Sequence, residues 1–182
     1  MAKVFIGVGH GGSDPGAVAN GVKEKSLNLA IAKACRNELK KHGVSVKMSR
    51  TKDENDTISE EIKECNAYSP DLAVDIHNNA GGGDGAEVYY HYGGGTGKIL
   101  AENILAEIVK VGQNSRGAKI RKNSKGKDYY GFIRETACPA VIVECAFVDN
   151  AADLKILASK AKKKKVGQAI AKGILKTLGV EI

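Results

Sequence analysis

The feature that most constrains the fold is a regular alternation of short apolar segments with longer amphipathic ones. The apolar segments have strand length and composition, and they occupy residues 3–9, 44–48, 72–76, 86–92, 131–133 and 140–143. Between them, helical spacing of apolar residues occurs over residues 24–42, 57–68, 96–111 and 166–178. This alternation predicts an α/β fold with one mostly parallel, twisted sheet and helices on both faces.

The turn and helix-cap signals between these segments indicate a single domain covering residues 1–182. A capping box, Thr57-Ile58-Ser59-Glu60, predicts the start of one helix, and Gly179 predicts the end of the last. Residues 10–23 are rich in glycine and contain Pro15, so we expect a loop there. Residues 112–130 are polar and predict a long surface loop. Neither repeats nor a linker interrupt the pattern.

Composition narrows the class of protein. An apolar fraction of 42% suits a globular chain, and the short apolar start predicts synthesis in the cytoplasm without an export signal or membrane insertion. Cys35, Cys65, Cys138 and Cys145 form neither a CxxC pair nor a zinc-finger spacing, which favours buried apolar roles.

The chain is basic, with 28 Lys and Arg against 21 Asp and Glu and a net charge of +7. Such a surface favours polyanions, including nucleic acid, acidic lipid and cell-wall polymers, without choosing among them. Much of the excess lies at Lys160 and Lys162–Lys165, which we interpret as a solvated helix start.

Four residues that could carry chemistry stand where ligands bind in open α/β sheets, beyond the carboxyl ends of strands. His10 and His77 follow the first and third apolar segments, and Glu144 follows the last. Glu24 begins the helix that returns from the first strand. We therefore expect these four side chains to converge on one edge of the sheet.

Two histidines and one glutamate form an attested zinc ligand set, with a fourth position left for water. Glu144 is flanked on both sides by apolar residues, so it is predicted to be buried, and a buried carboxylate needs a metal, a partner or a proton. Glu144 would then be free to act as a general base. His42 is explained by its place at a helix end, and His91 is a spare ligand candidate.

Two glycine motifs are set aside. Gly7–Gly12 matches GxGxxG, but Pro15-Gly16 and Asn20-Gly21 hold the chain open where a dinucleotide-binding helix would begin. The segment Gly93–Ile99 contains Gly-Lys but lacks the spacing and the Ser or Thr of a phosphate-binding loop.

With these residues identified, the chain resembles the zinc-dependent N-acetylmuramoyl-L-alanine amidases of the type 3 family, found in wall-remodelling enzymes and phage endolysins. The resemblance follows the family's order along nearly the whole chain. The matching segments are residues 8–17, 21–24, 49–51, 74–80, 85–90, 116–118, 132–136 and 139–150. Departures occur at Gly7-Val8-Gly9-His10 and Cys145-Ala146-Phe147, and neither removes a ligand.

The resemblance implies that His10, Glu24 and His77 bind Zn²⁺ and that Glu144 is the catalytic residue. Asn79 and Arg134 match positions near the family's site. The implied reaction is hydrolysis of the amide bond between the lactyl group of N-acetylmuramic acid and L-alanine in peptidoglycan. The partner is then peptidoglycan rather than nucleic acid, and lysis or a pore would release the protein to the wall.

Two alternatives remain open from the residues alone. The ligand set fits another zinc hydrolase, such as a carboxypeptidase or a deacetylase, equally well. The lysines of residues 160–165 also suit a non-catalytic module that binds nucleic acid or a wall polymer.

Overall fold

The computed structural model describes residues 1–181 as an α/β fold with a central six-stranded sheet and a small two-stranded hairpin. The strands of the central sheet are β1 (Lys3–Val8), β4 (Ser45–Met48), β5 (Leu72–Asn79), β6 (Ala86–Tyr90), β7 (Ser115–Lys119) and β8 (Ala140–Phe147). The hairpin consists of β2 (Val18–Ala19) and β3 (Val22–Lys23). The helices are α1 (Glu24–Lys41), α2 (Ile58–Tyr68), α3 (Thr96–Lys110), α4 (Gly131–Glu135), α5 (Ala151–Leu157) and α6 (Lys160–Leu178).

The order of strands across the sheet is β4-β1-β5-β8-β6-β7. β4, β1, β5 and β8 are parallel, β6 runs antiparallel to β8, and β7 is parallel to β6. The predicted mostly parallel sheet is therefore confirmed. The chain passes outward from β1 to β4 and then returns to the other side of β1, which makes the β1/β5 boundary a topological switch point.

The central strands are apolar along their length because helices cover both faces of the sheet. On one face, Val4, Ile6 and Val74 belong to the large core formed with α1, α3 and α6. On the other face, Phe5 and Ala73 pack with Phe132 of α4 in a smaller cluster beside α2. The prediction of helices on both faces is thus confirmed as well.

Several local predictions were wrong. Residues 131–133 form the start of α4 rather than a strand, since an apolar triplet is too short for its periodicity to separate the two. The predicted loop over residues 112–130 contains β7, an edge strand whose polar composition hid it. The predicted loop over residues 10–23 contains the β2–β3 hairpin. The helix predicted over residues 96–111 is α3, which begins at Thr96 with Gly95 as its N-cap.

Other local predictions are confirmed. The Thr57 hydroxyl accepts a hydrogen bond from the Glu60 amide, and the Glu60 carboxylate accepts one from the Thr57 amide, so the capping box starts α2 as expected. Lys160 begins α6, and most of the lysines that follow it are exposed to solvent. Within residues 1–181, no helix combines the length and apolarity needed to span a bilayer.

Close packing of α6 on α3 yields a stability prediction at Gly173. A Cβ atom there would lie 2.5 Å from the Cα atom of Ile104, and backbone atoms cannot move aside as a flexible side chain can. Gly173→Ala should therefore destabilise the fold by roughly 1–3 kcal/mol through overpacking, although alanine favours helix formation. Urea denaturation measures the change.

The matched control is Gly97→Ala in α3, where the nearest atom to an added Cβ is 3.8 Å away. This variant should be as stable as the parent chain or slightly more stable. Equal stabilities for the two variants would contradict the inferred close contact between α3 and α6.

Candidate metal centre and active site

Three predicted ligands meet at the carboxyl edge of β1 and β5. His10 follows β1, Glu24 is the first residue of α1, and His77 lies on β5. The β1/β5 boundary is the switch point, where the loops after neighbouring strands diverge and leave a crevice. Candidate ligand atoms of the three residues all lie within 4.8 Å of one another.

Glu24 bridges the two histidines. Its Oε2 atom lies 3.1 Å from Nε2 of His10, and its Oε1 atom lies 3.1 Å from Nδ1 of His77. The two imidazole rings are edge to face, with centroids 5.2 Å apart. Glu24 thus turns one carboxylate oxygen toward each histidine.

The glycines in the segment after β1 allow its backbone to pack closely against the His10, Glu24 and His77 side chains. A Cβ atom on Gly9 would overlap the His77 ring at 2.1 Å, and one on Gly16 would lie 2.6 Å from both Glu24 and His10. His10 itself has a φ of 63°, an unfavourable backbone for a non-glycine residue. Of the three glycines in the GxGxxG pattern, Gly9 is thus required by the His77 ring. A Cβ atom on Gly7 would instead meet Glu61 and Asp75, and one on Gly12 would meet Asn55.

Backbone and amide groups hold Glu24 in its ionised form. The amides of Ala17 and Asn78 donate to its carboxylate at 2.9 and 3.1 Å, and the Asn28 side chain donates at 3.3 Å. Burial opposes ionisation of Glu24, but the hydrogen bonds from His10 and His77 outweigh it and lower its pKa. Asn28 was missed, although its spacing of four residues from Glu24 on a helix is a usable signal.

A further carboxylate orients each histidine. Asp14 Oδ2 lies 2.7 Å from Nδ1 of His10, and Asp75 Oδ2 lies 3.0 Å from Nε2 of His77. Burial lowers the pKa of His77, yet Asp75 and Glu24 outweigh that effect and raise it well above the usual value. Carboxylates behind metal-binding histidines commonly fix the ring in this way. Alternation along β5 places Asp75 on the same face as His77, and that signal was missed.

Glu144 lies beside the three-residue group but outside it. It sits within β8 rather than after it, and its register partner on β5 is His77. Within residues 1–181 its Oε2 atom is buried without a hydrogen-bond partner. Burial raises the pKa of Glu144 to about 7, with only partial opposition from His77. The predicted burial therefore holds for the Oε2 atom, while the residue as a whole is half-buried.

Two cavities meet at His77 and Asp75. One, of about 540 Å³, opens along His10, Asp14 and the start of α2. The other, of about 190 Å³, contains Glu144 and is bordered by Tyr130. The second cavity, which both Glu144 and His77 line, has room for a water.

Asn79, Arg134 and His91 lie outside the group formed by His10, Glu24 and His77. The Asn79 side chain donates to Glu87 at 3.0 Å on the same edge of the sheet. Arg134 donates to the carbonyls of Asp128 and Tyr129, which positions the segment that contains Tyr130. His91 pairs with Asp128 at 3.1 Å and lies outside the His10–Glu24–His77 group. The roles of Asn79 and Arg134 stay predictions.

The donor set fits a zinc ion. Zinc takes nitrogen ligands and carboxylate oxygens at about 2.0–2.2 Å in tetrahedral geometry, which places ligand atoms roughly 3.3 Å apart. Each histidine nitrogen lies 3.1 Å from a different oxygen of Glu24, and one ligand atom from each of the three residues can be chosen within 4.8 Å of the others. Nitrogen ligands also argue against Mg²⁺ or Ca²⁺, which prefer all-oxygen sites.

Fold and site together define the class of protein: an α/β domain with a candidate His-Glu-His metal centre at its switch point and a buried carboxylate beside it. The family model described as N-acetylmuramoyl-L-alanine amidase matches residues 4–176. The chain belongs to this family, as the motifs predicted.

Three relatives show how far the similarity extends. The amidase CwlM of Bacillus licheniformis is 38% identical over 99% of this chain and 70% of its own length. Cwp6 from Clostridium difficile has a TM-score of 0.96 at 38% identity, over 97% of this chain and 29% of that one. The catalytic domain of the amidase CwlV from Bacillus (Paenibacillus) polymyxa has a TM-score of 0.88 at 29% identity, over the full length of both chains.

Proposed function

We propose that this protein hydrolyses, with zinc, the amide bond between the lactyl group of N-acetylmuramic acid and L-alanine in peptidoglycan. The observation that carries the proposal is the Glu144 carboxylate beside the group formed by His10, Glu24 and His77: its Oε2 atom is buried and has no hydrogen-bond partner among residues 1–181. Membership of the amidase family supplies the substrate class.

In this proposal His10, Glu24 and His77 hold the zinc ion. The ion would supply an activated water at neutral pH and polarise the scissile carbonyl. Asp14 and Asp75 keep the two rings turned toward the centre through the hydrogen bonds at their other nitrogens.

Glu144 carries the proton in this mechanism. Its buried carboxylate accepts a proton from the attacking water and then donates it to the nitrogen of L-alanine as the amide bond breaks. Burial raises the pKa of Glu144 above the ordinary value for a glutamate, which favours a group that can both accept and return a proton near neutral pH. The products are a lactyl carboxylate on the glycan and a free amine on the peptide, so atoms and charge balance.

The test is digestion of purified peptidoglycan, with and without a chelator, followed by mass analysis of the released fragments. We expect peptides with a new L-alanine amino terminus, loss of their release after chelation, and recovery after zinc is added. Because the chain spans only part of some relatives, soluble muramoyl-peptides should be assayed beside whole walls.

Other outcomes identify the alternatives. Zinc-dependent release of a terminal amino acid or of acetate would indicate a carboxypeptidase or a deacetylase. Salt-sensitive binding to wall polymer or DNA without cleavage would indicate a binding module. Either result would overturn the proposed function.

A further inference from the structure

Glu87 is a buried carboxylate on β6 that takes no part in the proposed mechanism. Its side chain is only 4% exposed. Burial opposes its ionisation, but hydrogen bonds from Lys119 and Arg116 outweigh that effect and lower the pKa of Glu87. Glu87 is therefore a fixed negative charge close to the active site.

Glu87 gathers four donors around it. Oε2 accepts from Arg116 Nε at 2.9 Å and from Lys119 Nζ at 2.5 Å. Oε1 accepts from the Tyr89 hydroxyl at 2.8 Å and from Asn79 at 3.0 Å. Because both oxygen atoms accept two hydrogen bonds each, Glu87 positions the two cations and does not itself bind a ligand.

The two cations remain available to a ligand. The side chains of Arg116 and Lys119 are 37% and 34% exposed, and one carboxylate cannot neutralise both charges. Arg116 is further fixed by its guanidinium, which stacks 4.9 Å from the Phe147 ring. Among residues 1–181, Arg116 donates from Nε to Glu87 and its terminal nitrogens have no protein acceptor. A planar fork of free donors matches a carboxylate.

This pair of cations lies next to the reacting carboxylate. β6 pairs with β8 in the register Glu87 opposite Glu144, and β5 pairs with β8 in the register His77 opposite Glu144. The three side chains therefore form one row on one face of the sheet. Neighbouring strands are about 4.8 Å apart, so the row leads from the metal centre across Glu144 to the cations.

We propose that Arg116 and Lys119 bind a substrate carboxylate and so set the preferred stem peptide. This inference rests on the proposed function. The residue after L-alanine in the stem is a γ-linked D-glutamyl group, whose α-carboxyl is a free acid in some walls and an amide in others. From the alanine nitrogen to that carboxyl is two residues of backbone, about 7 Å when extended. That span fits the distance from Glu144 on β8 to the two cations that contact Glu87 on β6.

The experiment compares two soluble substrates that differ only in this group: muramoyl-L-alanyl-D-isoglutamate and muramoyl-L-alanyl-D-isoglutamine. The parent enzyme is expected to have a kcat/KM about tenfold higher for the acid than for the amide. In Arg116→Gln the value for the acid should fall about tenfold, while that for the amide stays within twofold. Arg116→Lys, which keeps the charge, should recover part of the preference.

Lys125→Gln is the control, because Lys125 is an exposed lysine in the segment after β7 and has no place in this row. It should leave both substrates unaffected. If Arg116→Gln folds poorly, Lys119→Gln tests the same charge, and a loss of acid preference there supports the inference equally.

Equal kcat/KM for acid and amide in the parent enzyme would overturn the carboxylate site but leave the proposed function intact, since both substrates are cut. An equal fall for both substrates in Arg116→Gln would overturn it too and assign Arg116 a structural role. Failure to cut either substrate at the lactyl–alanine bond would overturn the proposed function and this inference together.

Discussion

Replacing Glu144 with glutamine is expected to lower turnover of a soluble muramoyl-peptide by about 10²–10⁴-fold, the range that a positioned acid–base group supplies. Glutamine keeps the shape of the side chain but can neither accept nor return the proton. Since Glu144 lies outside the group of His10, Glu24 and His77, the variant should keep its zinc. Steady-state kinetics and metal analysis measure the two effects separately.

The matched control is Glu102→Gln, an exposed glutamate on α3 that forms an ion pair with Lys98. It should leave both turnover and zinc content unchanged. Turnover within tenfold of the parent enzyme for Glu144→Gln would sink the assignment of Glu144 as the proton carrier. Loss of zinc from the same variant would mean that Glu144 belongs to the ligand set.

A second readout uses pH and the metal-free protein. The folded-state pKa of Glu144 is about 7, above the usual 4.5 for a glutamate, because burial disfavours the charged form. A raised carboxyl pKa stabilises the fold below pH 4.5, and that contribution is lost as pH rises through 7. The metal-free parent chain should therefore lose more stability than Glu144→Gln between pH 4.5 and pH 8, by up to about 3 kcal/mol. Identical pH profiles would show that Glu144 is not held in a desolvated state.

Replacing Glu24 with alanine is expected to abolish zinc binding and activity together. Glu24 is the proposed ligand that contacts both histidines, and its loss leaves the amides of Ala17 and Asn78 without their acceptor. Zinc present at about 1,000 times its Kd should stabilise the parent protein by about 4 kcal/mol. For a chain of this size, that corresponds to a rise in Tm of roughly 10 °C.

Thermal denaturation with and without zinc, together with metal analysis after dialysis, measures this prediction. The zinc-dependent rise in Tm should vanish in Glu24→Ala. His42→Ala is the control, since His42 lies at the far end of α1 beside Glu38 and should leave zinc binding intact. A Glu24→Ala protein that still retains stoichiometric zinc would show that the metal is held elsewhere.

The candidate site was accessible from the sequence because its residues stand at the boundaries of strongly patterned segments. Apolar strands and amphipathic helices follow from local spacing, and the carboxyl ends of parallel strands share an edge. His10, Glu24, His77 and Glu144 could therefore be named before their contacts were known. Spacing alone places Asp75 on the face of His77 and Asn28 on the face of Glu24, but the contacts that give these two residues a role form only when the elements pack together.

β7 and α4 were not predicted from the sequence, and the physical reason is the same for both. Within residues 1–181, β7 is the last strand of the sheet and pairs with β6 alone, so pairing with β6, rather than its polar composition, makes this segment a strand. α4 is only five residues long. Its backbone is helical because its apolar side chains pack against α2 and β8 in the smaller core cluster. In both segments the long-range contact, and not local propensity, selects the structure.

By itself, the sequence determined the alternation of strands and helices, the α/β class, the family and the four residues expected to carry chemistry. These features depend on local periodicity and on motif order, which a linear chain already contains. Only the tertiary structure decided that Glu24 bridges two histidines, that Glu144 stands opposite His77, and that Glu87 holds Arg116 and Lys119 in the same row. Those relations depend on strand register and helix docking, which are set by contacts between residues distant along the chain.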